Sequence, residues 1–256
     1  YQQANPAYMK VIALADSAND SVRLGTFYNS LALVHQWLEQ FDQAEKAFLS
    51  SIAYLKANGG AFRRAMSLTN LGTLNLEIQK NAQAMSQFQE ALEIFTQQES
   101  MWGMMTVKGN MGSALEKMGR LDEAIPLLEE HLAYKLENET VKSHVSSYLM
   151  LARAYEKSGS ITKADRLAEK ALSLTEKHNF PEHKRNAHAM LSRTNKAQKN
   201  YQAAYEHLLA SQTLTDSLLK AESTQKIADI TEKYESEKKE TQINQLKIEN
   251  QLQEAT

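Results

Sequence analysis

Gly109-Asn110-Met111-Gly112-Ser113-Ala114-Leu115-Glu116-Lys117-Met118-Gly119-Arg120-Leu121-Asp122-Glu123-Ala124-Ile125 reads as two helices joined at Gly119, with a small residue, Ala124, early in the second. Stepping outward from Ala124 by 40 residues in both directions gives Ala44, Ala84, Ala164 and Ala204. Four residues after each alanine stands Phe48, Phe88, Leu128, Ala168 or Leu208, and seven after stands Ser51, Ala91, His131, Ala171 or Ser211. Thirteen residues before each lies Leu31, Leu71, Met111, Leu151 or Leu191, followed by Ala32, Gly72, Gly112, Ala152 or Ser192. A fixed period of this length, kept without an insertion, predicts a helical solenoid whose units bury their apolar faces only against their neighbours.

Composition agrees and narrows the function classes. The 256 residues include three prolines and nine glycines, and Ala, Leu, Glu, Lys and Gln favour helix throughout. No stretch alternates Val, Ile and Thr as a strand would. The net charge of −2 carries no basic footprint for nucleic acid. With no cysteine, disulfides, thiol catalysis and thiolate-bound zinc are excluded. No apolar run reaches the ~18 residues of a membrane span, and the start at Tyr1 predicts a processed chain or an excised fragment.

The expected units are 21–60, 61–100, 101–140, 141–180 and 181–215, within a solenoid covering 1–215. Projecting the period back to Ala4 predicts that 4–18 is the second helix of a further unit whose first helix lies upstream. Asp42 supplies favourable charge at a helix start, and Gly59-Gly60 ends that helix in the left-handed conformation that glycine tolerates. Gly72 and Gly112 fall mid-helix, where glycine costs roughly 1 kcal/mol relative to alanine, so both positions predict a close approach between helices. Pro126, early in a second helix, is expected to disturb it little.

These residues resemble the tetratricopeptide repeat, in the Leu-Gly/Ala pair, the turn glycine and the Ala…Phe/Leu…Ala/Ser series. The resemblance implies an all-α right-handed superhelix of helical hairpins, here with a 40-residue rather than the usual 34-residue period. The position that holds tryptophan in the family is occupied by Tyr28, Leu68, Lys108, Tyr148 and His188, which leaves its packing open. The resemblance also implies a protein or peptide ligand in the concave groove lined by the first helices. Its candidate residues are Asn29, Gln36, Asn70, Thr73, Asn110, Ser113, Glu116, Arg153, Glu156, Arg193 and Lys196. Stacked asparagines offer a peptide backbone both a donor and an acceptor, and Arg153, Arg193 and Lys196 offer a carboxylate its partners.

The period fails beyond Ser211. From about Asp216 no glycine or proline interrupts the chain, so 216–256 is expected to be one long capping or coiled-coil helix, with Thr215 or Asp216 as its N-cap. Ile227, Ile230, Tyr234, Leu246, Ile248 and Leu252 mark a candidate homodimer seam, and the six Lys and eight Asp/Glu after residue 219 suit a solvated flank. The stretch 226–250 resembles the helix that follows such repeats in bacterial membrane-bound sensors. That resemblance implies a sensor region on the extracytoplasmic side of an inner membrane, with a membrane span and a histidine kinase beyond Thr256. A cytoplasmic scaffold or peptide-responsive regulator without a membrane link is the alternative.

No phosphate loop, zinc-protease or nucleophile-elbow motif appears, so no enzyme activity, cofactor or metal is expected in this segment. His178, His183 and His188 surround one loop but lack metal-ligand spacing. Met101-Trp102-Gly103-Met104-Met105 reads as inter-repeat core or as a soft partner patch.

Overall fold

The computed structural model describes residues 21–254, with side chains described except at 21, 233, 237, 240, 241 and 243–254. Among them are ten helices: α1 (Ser21–Trp37), α2 (Phe41–Ala57), α3 (Ala61–Glu77), α4 (Asn81–Gln97), α5 (Met101–Lys117), α6 (Leu121–Asn138), α7 (Val141–Lys157), α8 (Ile161–Lys177), α9 (Pro181–Ala197) and α10 (Tyr201–Glu254). The fold class is the expected one, all-α helical hairpins of the right-handed superhelical type ending in a long helix. The chain divides into two compact bodies, the first up to Lys170 and the second from Ala171. The unit expected at 4–18 lies outside the described residues.

The 40-residue period is written into the backbone as well as the core. Glu39, Gln79, Gly119, Gly159 and Lys199, one per unit, are all left-handed, with φ of 57°, 63°, 76°, 80° and 66°. Each ends a first helix in the same way: the next residue's N–H returns to the carbonyl five residues earlier, as from Gln40 to His35, Lys80 to Asn75 and Arg120 to Leu115. This double-capped turn satisfies carbonyls that a helix end leaves bare. Glycine adopts it without strain at Gly119, whereas Gln79 does so at roughly 1 kcal/mol.

In the first body the repeated alanines Ala44, Ala84, Ala124 and Ala164 are fully buried, and so are Phe48, Phe88 and Leu128 one helical turn on. The mid-helix glycines make room for those larger residues. A Cβ on Gly72 would lie 2.5 Å from the Phe88 ring, and one on Gly112 would lie 2.7 Å from Leu128 Cγ. Gly109 does the same for His131, whose ring would meet such a carbon at 2.5 Å. His131 Nδ1 lies 2.8 Å from the Met105 carbonyl, so that nitrogen carries the proton and donates. Burial, the dominant influence, holds the imidazole below its usual pKa and so favours the neutral ring.

The position that departs from the family's tryptophan finds a local partner in four units. Tyr28 stacks on Tyr54 with centroids 5.5 Å apart, Lys108 pairs with Glu130, and Lys170 sits 5.8 Å above the Tyr148 ring. In the second body, His188 and His207 bring their Nδ1 atoms to 2.9 Å. Leu68 is simply buried. In each of those four units the partner lies on the second helix, so this position joins the hairpin by whatever chemistry the pair offers. Met104 and Met111 pack against the core around Phe88 and Phe95, while Met101 and Trp102 remain exposed, Trp102 with its ring beside those of Phe62 and Phe95.

The second body centres on the α9–α10 hairpin, closed by buried Ala187, Met190, Leu191 and Ala204 and by Ser192 Oγ donating to the Ala204 carbonyl at 2.8 Å. The long helix begins at Tyr201 and is continuous with the second helix of the fifth unit. Thr215 therefore does not cap a start; its hydroxyl donates to the Ser211 carbonyl within the helix. The physical reason is the absence of any glycine or proline after Tyr201 to end the hairpin helix.

Candidate functional site

The first helices of neighbouring units run side by side, and their polar side chains meet at a recurring offset of 41 residues. Asn70 Nδ2 donates to Asn29 Oδ1 at 3.0 Å, and Gln36 Nε2 donates to Glu77 Oε2 at 2.8 Å. Lys117 Nζ donates to the Leu76 carbonyl at 3.2 Å. Lys157 Nζ lies 2.5 Å from Glu116 Oε1. One unit advances the chain by 40 residues, and the extra residue rotates the side chain toward its neighbour, so each rung of this ladder joins two units.

Several predicted residues thus bond to each other. Asn29 and Asn70 form a pair, yet this leaves the Asn29 amide donor and the Asn70 amide oxygen without a hydrogen bond among the described residues. Both half-buried side chains keep that capacity on the open side of the rung. Asn110 and Ser113, half-buried on α5, likewise make no side-chain hydrogen bond there. Thr73 is exposed and its hydroxyl donates to the Thr69 carbonyl.

Arg153, expected to receive a ligand carboxylate, is already engaged: its Nε donates to Glu116 Oε2 at 2.8 Å. Glu116 is only 2% exposed, so it is the buried anchor of a charge cluster with Arg153 and Lys157 from the next unit. Glu156 is half-buried on α7. Arg193 and Lys196 are exposed on α9, where Arg193 Nη1 donates to the Ala189 carbonyl.

The sequence does not single out the apolar partners of this face. A cleft of about 450 Å³ is lined by Leu33, Gln36, Trp37, Glu39, Asn70, Thr73 and Glu77. Trp37 is 60% exposed and Leu33 44% exposed. The available signal is a tryptophan beside the polar face of a first helix, off the repeat's apolar positions. On α10, Ile227, Ile230 and Tyr234 are all exposed; the side chains of Leu246, Ile248 and Leu252 lie outside those described.

The three loop histidines do not converge. His178 stacks on Phe180, His183 approaches the same ring edge-on, and His188 pairs instead with His207. Burial and the neighbouring His207 hold the His188 imidazole below its usual pKa. Among the described residues no group of three or more His, Cys, Asp or Glu side chains is placed to hold a metal ion.

Residues 23–97 and 103–177 match the tetratricopeptide repeat profile. The two matches span more than half of the chain, which therefore belongs to the tetratricopeptide repeat family, a non-catalytic binding scaffold. No curated protein matches it by sequence. Among solved structures it is similar to BtubC (BKLC) from P. vanneervenii, with a TM-score of 0.73 and 16% identity over 85% of this chain and 91% of that one. It is similar to a Podosopora anserina putative kinesin light chain of nearly identical TPR-like repeats, with a TM-score of 0.63 and 20% identity over 77% and 97%. A Rap protein complexed with competence and sporulation factor gives 0.65 and 16% identity over 76% of this chain and 56% of that chain. At such identities these likenesses establish the fold.

The expected extracytoplasmic placement is corrected by these findings. None of the three structures just described is named as an extracytoplasmic sensor, and no described helix is long and apolar enough to cross a membrane. The expectation leans on a charged helix at 226–250, whose composition is common to solvated helices of many proteins.

Proposed function

We propose that this chain is a peptide-responsive scaffold that takes an extended segment of a partner protein on the first-helix face of its first body. The observation that carries this is the Asn29–Asn70 rung. Its open donor and acceptor stand next to a cleft that contains Asn70 and is flanked by exposed Trp37 and Leu33. A peptide backbone needs such a donor–acceptor pair, and an adjacent apolar anchor supplies most of the binding energy in recognition of this kind. The membrane-linked kinase sensor is the weaker reading, because the family match and the similar structures support only the repeat scaffold.

The test is selection of linear peptides from a random library on the immobilised chain, followed by titration of the best binder. Asn70→Ala and Trp37→Ala are each expected to weaken it by about tenfold or more. Selected peptides that bind both variants as tightly as the parent would place the binding surface elsewhere.

A homodimer seam along α10 is a second proposal, motivated by Ile227, Ile230 and Tyr234. These recur at steps of three and four on one helix face and are each more than 60% exposed. Light scattering is expected to show a dimer that becomes a monomer when the chain is cut before Glu222; a monomer in both cases removes the proposal.

A further inference from the structure

Elsewhere in the first body, α6, α7 and α8 enclose a groove of about 700 Å³, within the size range of small-molecule sites. Its apolar lining comes from Leu132, Leu136, Leu151 and Leu167. Leu136 is 42% exposed at the mouth, while Leu132 and Leu151 are buried.

The charges at its rim are uneven. Tyr155 Oη donates to the Glu129 carboxylate, and burial followed by that bond pushes the phenol up to about 12. The phenol therefore stays protonated and holds the rim's carboxylate. Lys163 lies 4.9 Å above the Tyr155 ring and has no ion pair among the described residues. Arg166 has neither an ion pair nor a hydrogen bond among them. Two cations thus face the mouth of an apolar trough. The equivalent points hold Gln43 and Lys46 in α2, Gln83 and Ser86 in α4, Glu123 and Pro126 in α6, and Ala203 and Glu206 in α10, so the pair of cations is particular to this unit.

We infer that this groove binds an aliphatic carboxylate, its hydrocarbon chain on the four leucines and its carboxylate on Arg166 and Lys163. The chemistry favours a chain with one polar end over a peptide. Apart from the rim charges, the polar lining offers only Thr162 and Tyr155, so a peptide backbone laid in the trough would leave its own amides without partners. Guanidinium and ammonium groups suit a terminal carboxylate. This site is independent of the asparagine rung and of whatever segment binds there.

Calorimetric titration of the full chain with decanoate, below its micelle threshold, tests the inference. One decanoate per chain is expected. Arg166→Gln is expected to weaken it about tenfold or more, Leu136→Trp to abolish binding by filling the trough, and Asn70→Ala to leave it unchanged. Arg166 and Leu136 are solvent-exposed, so both variants should retain the parent's circular dichroism and melting. The inference is overturned if decanoate fails to bind the parent chain or if Arg166→Gln binds it equally well. It is also overturned if decyltrimethylammonium binds as tightly, which would show a merely greasy surface. Tighter binding by acetyl-Ala-Leu-Leu with a free carboxylate would assign the groove to a peptide terminus instead.

Discussion

Replacing Phe88 with alanine is expected to lower the unfolding free energy by about 3–5 kcal/mol, while Leu208→Ala, at the same point of the repeat, lowers it by about 1 kcal/mol. Phe88 is fully buried, whereas Leu208 is 45% exposed. The Phe88 ring lies where a Cβ on Gly72 would stand, so its removal empties space that a helix of close-packed neighbours cannot collapse to fill. Leu208 has already lost little water and leaves little cavity. Because a solenoid is held by nearest-neighbour interfaces, loss of Phe88 acts on the junction of α3 and α4 and on the stack that continues through them. Gly72→Ala alone is expected to cost about 1–3 kcal/mol by overpacking the ring. In the Phe88→Ala background that penalty should vanish, because the new methyl enters the cavity. Urea titrations of the four chains of this cycle measure the coupling. Strict additivity would show that Gly72 and Phe88 do not share the space assigned to them.

The same pair shows why the fold is legible in the sequence. Ala84, Phe88 and Gly72 act through close contact at fixed chain separations, and a phase-locked spacing records such contacts directly. The rungs of the first-helix face are different. Asn29 and Asn70 are both visible as polar residues at adjacent unit positions, but that they bond to each other depends on the rotation between successive units. A one-residue offset on a 40-residue period is a property of stacking, and no single helix pattern encodes it. Trp37 and Leu33 escape notice because they lie off the apolar positions of the repeat, which is also why they stay exposed rather than entering the core. The aliphatic groove is equally hidden, since it needs α6 and α8 to be brought across α7 before Lys163, Arg166 and the leucines form one surface. The fifth unit misleads for a local reason: its turn is plain in the sequence, but the helix after Tyr201 has no terminator, so hairpin and long helix are one element.

Removing both cations around Glu116, by Arg153→Met with Lys157→Met, is expected to cost about 3–5 kcal/mol, the range for stranding one member of a buried ion pair. Glu116→Leu should change stability by no more than about 1 kcal/mol. The difference follows from where water reaches. The Glu116 side chain is 2% exposed, whereas those of Arg153 and Lys157 are 42% and 47% exposed. With the glutamate gone, each cation can turn into solvent, and a leucine fills the vacated volume with apolar surface. With the cations gone, the carboxylate stays where it is: the Arg153 bond to Oε2 and the Lys157 contact at Oε1 are the side-chain partners it has among the described residues. Neither methionine can replace them. The triple variant, in which Glu116→Leu is added to the doubly substituted chain, should recover most of the lost stability, since no charge is then left to desolvate. Urea unfolding of the three chains decides the point. If Glu116→Leu proved as damaging as the loss of both cations, the junction of α5 and α7 would depend on attraction across the ion cluster. The expected asymmetry means instead that the cations chiefly neutralise a charge the fold has already buried.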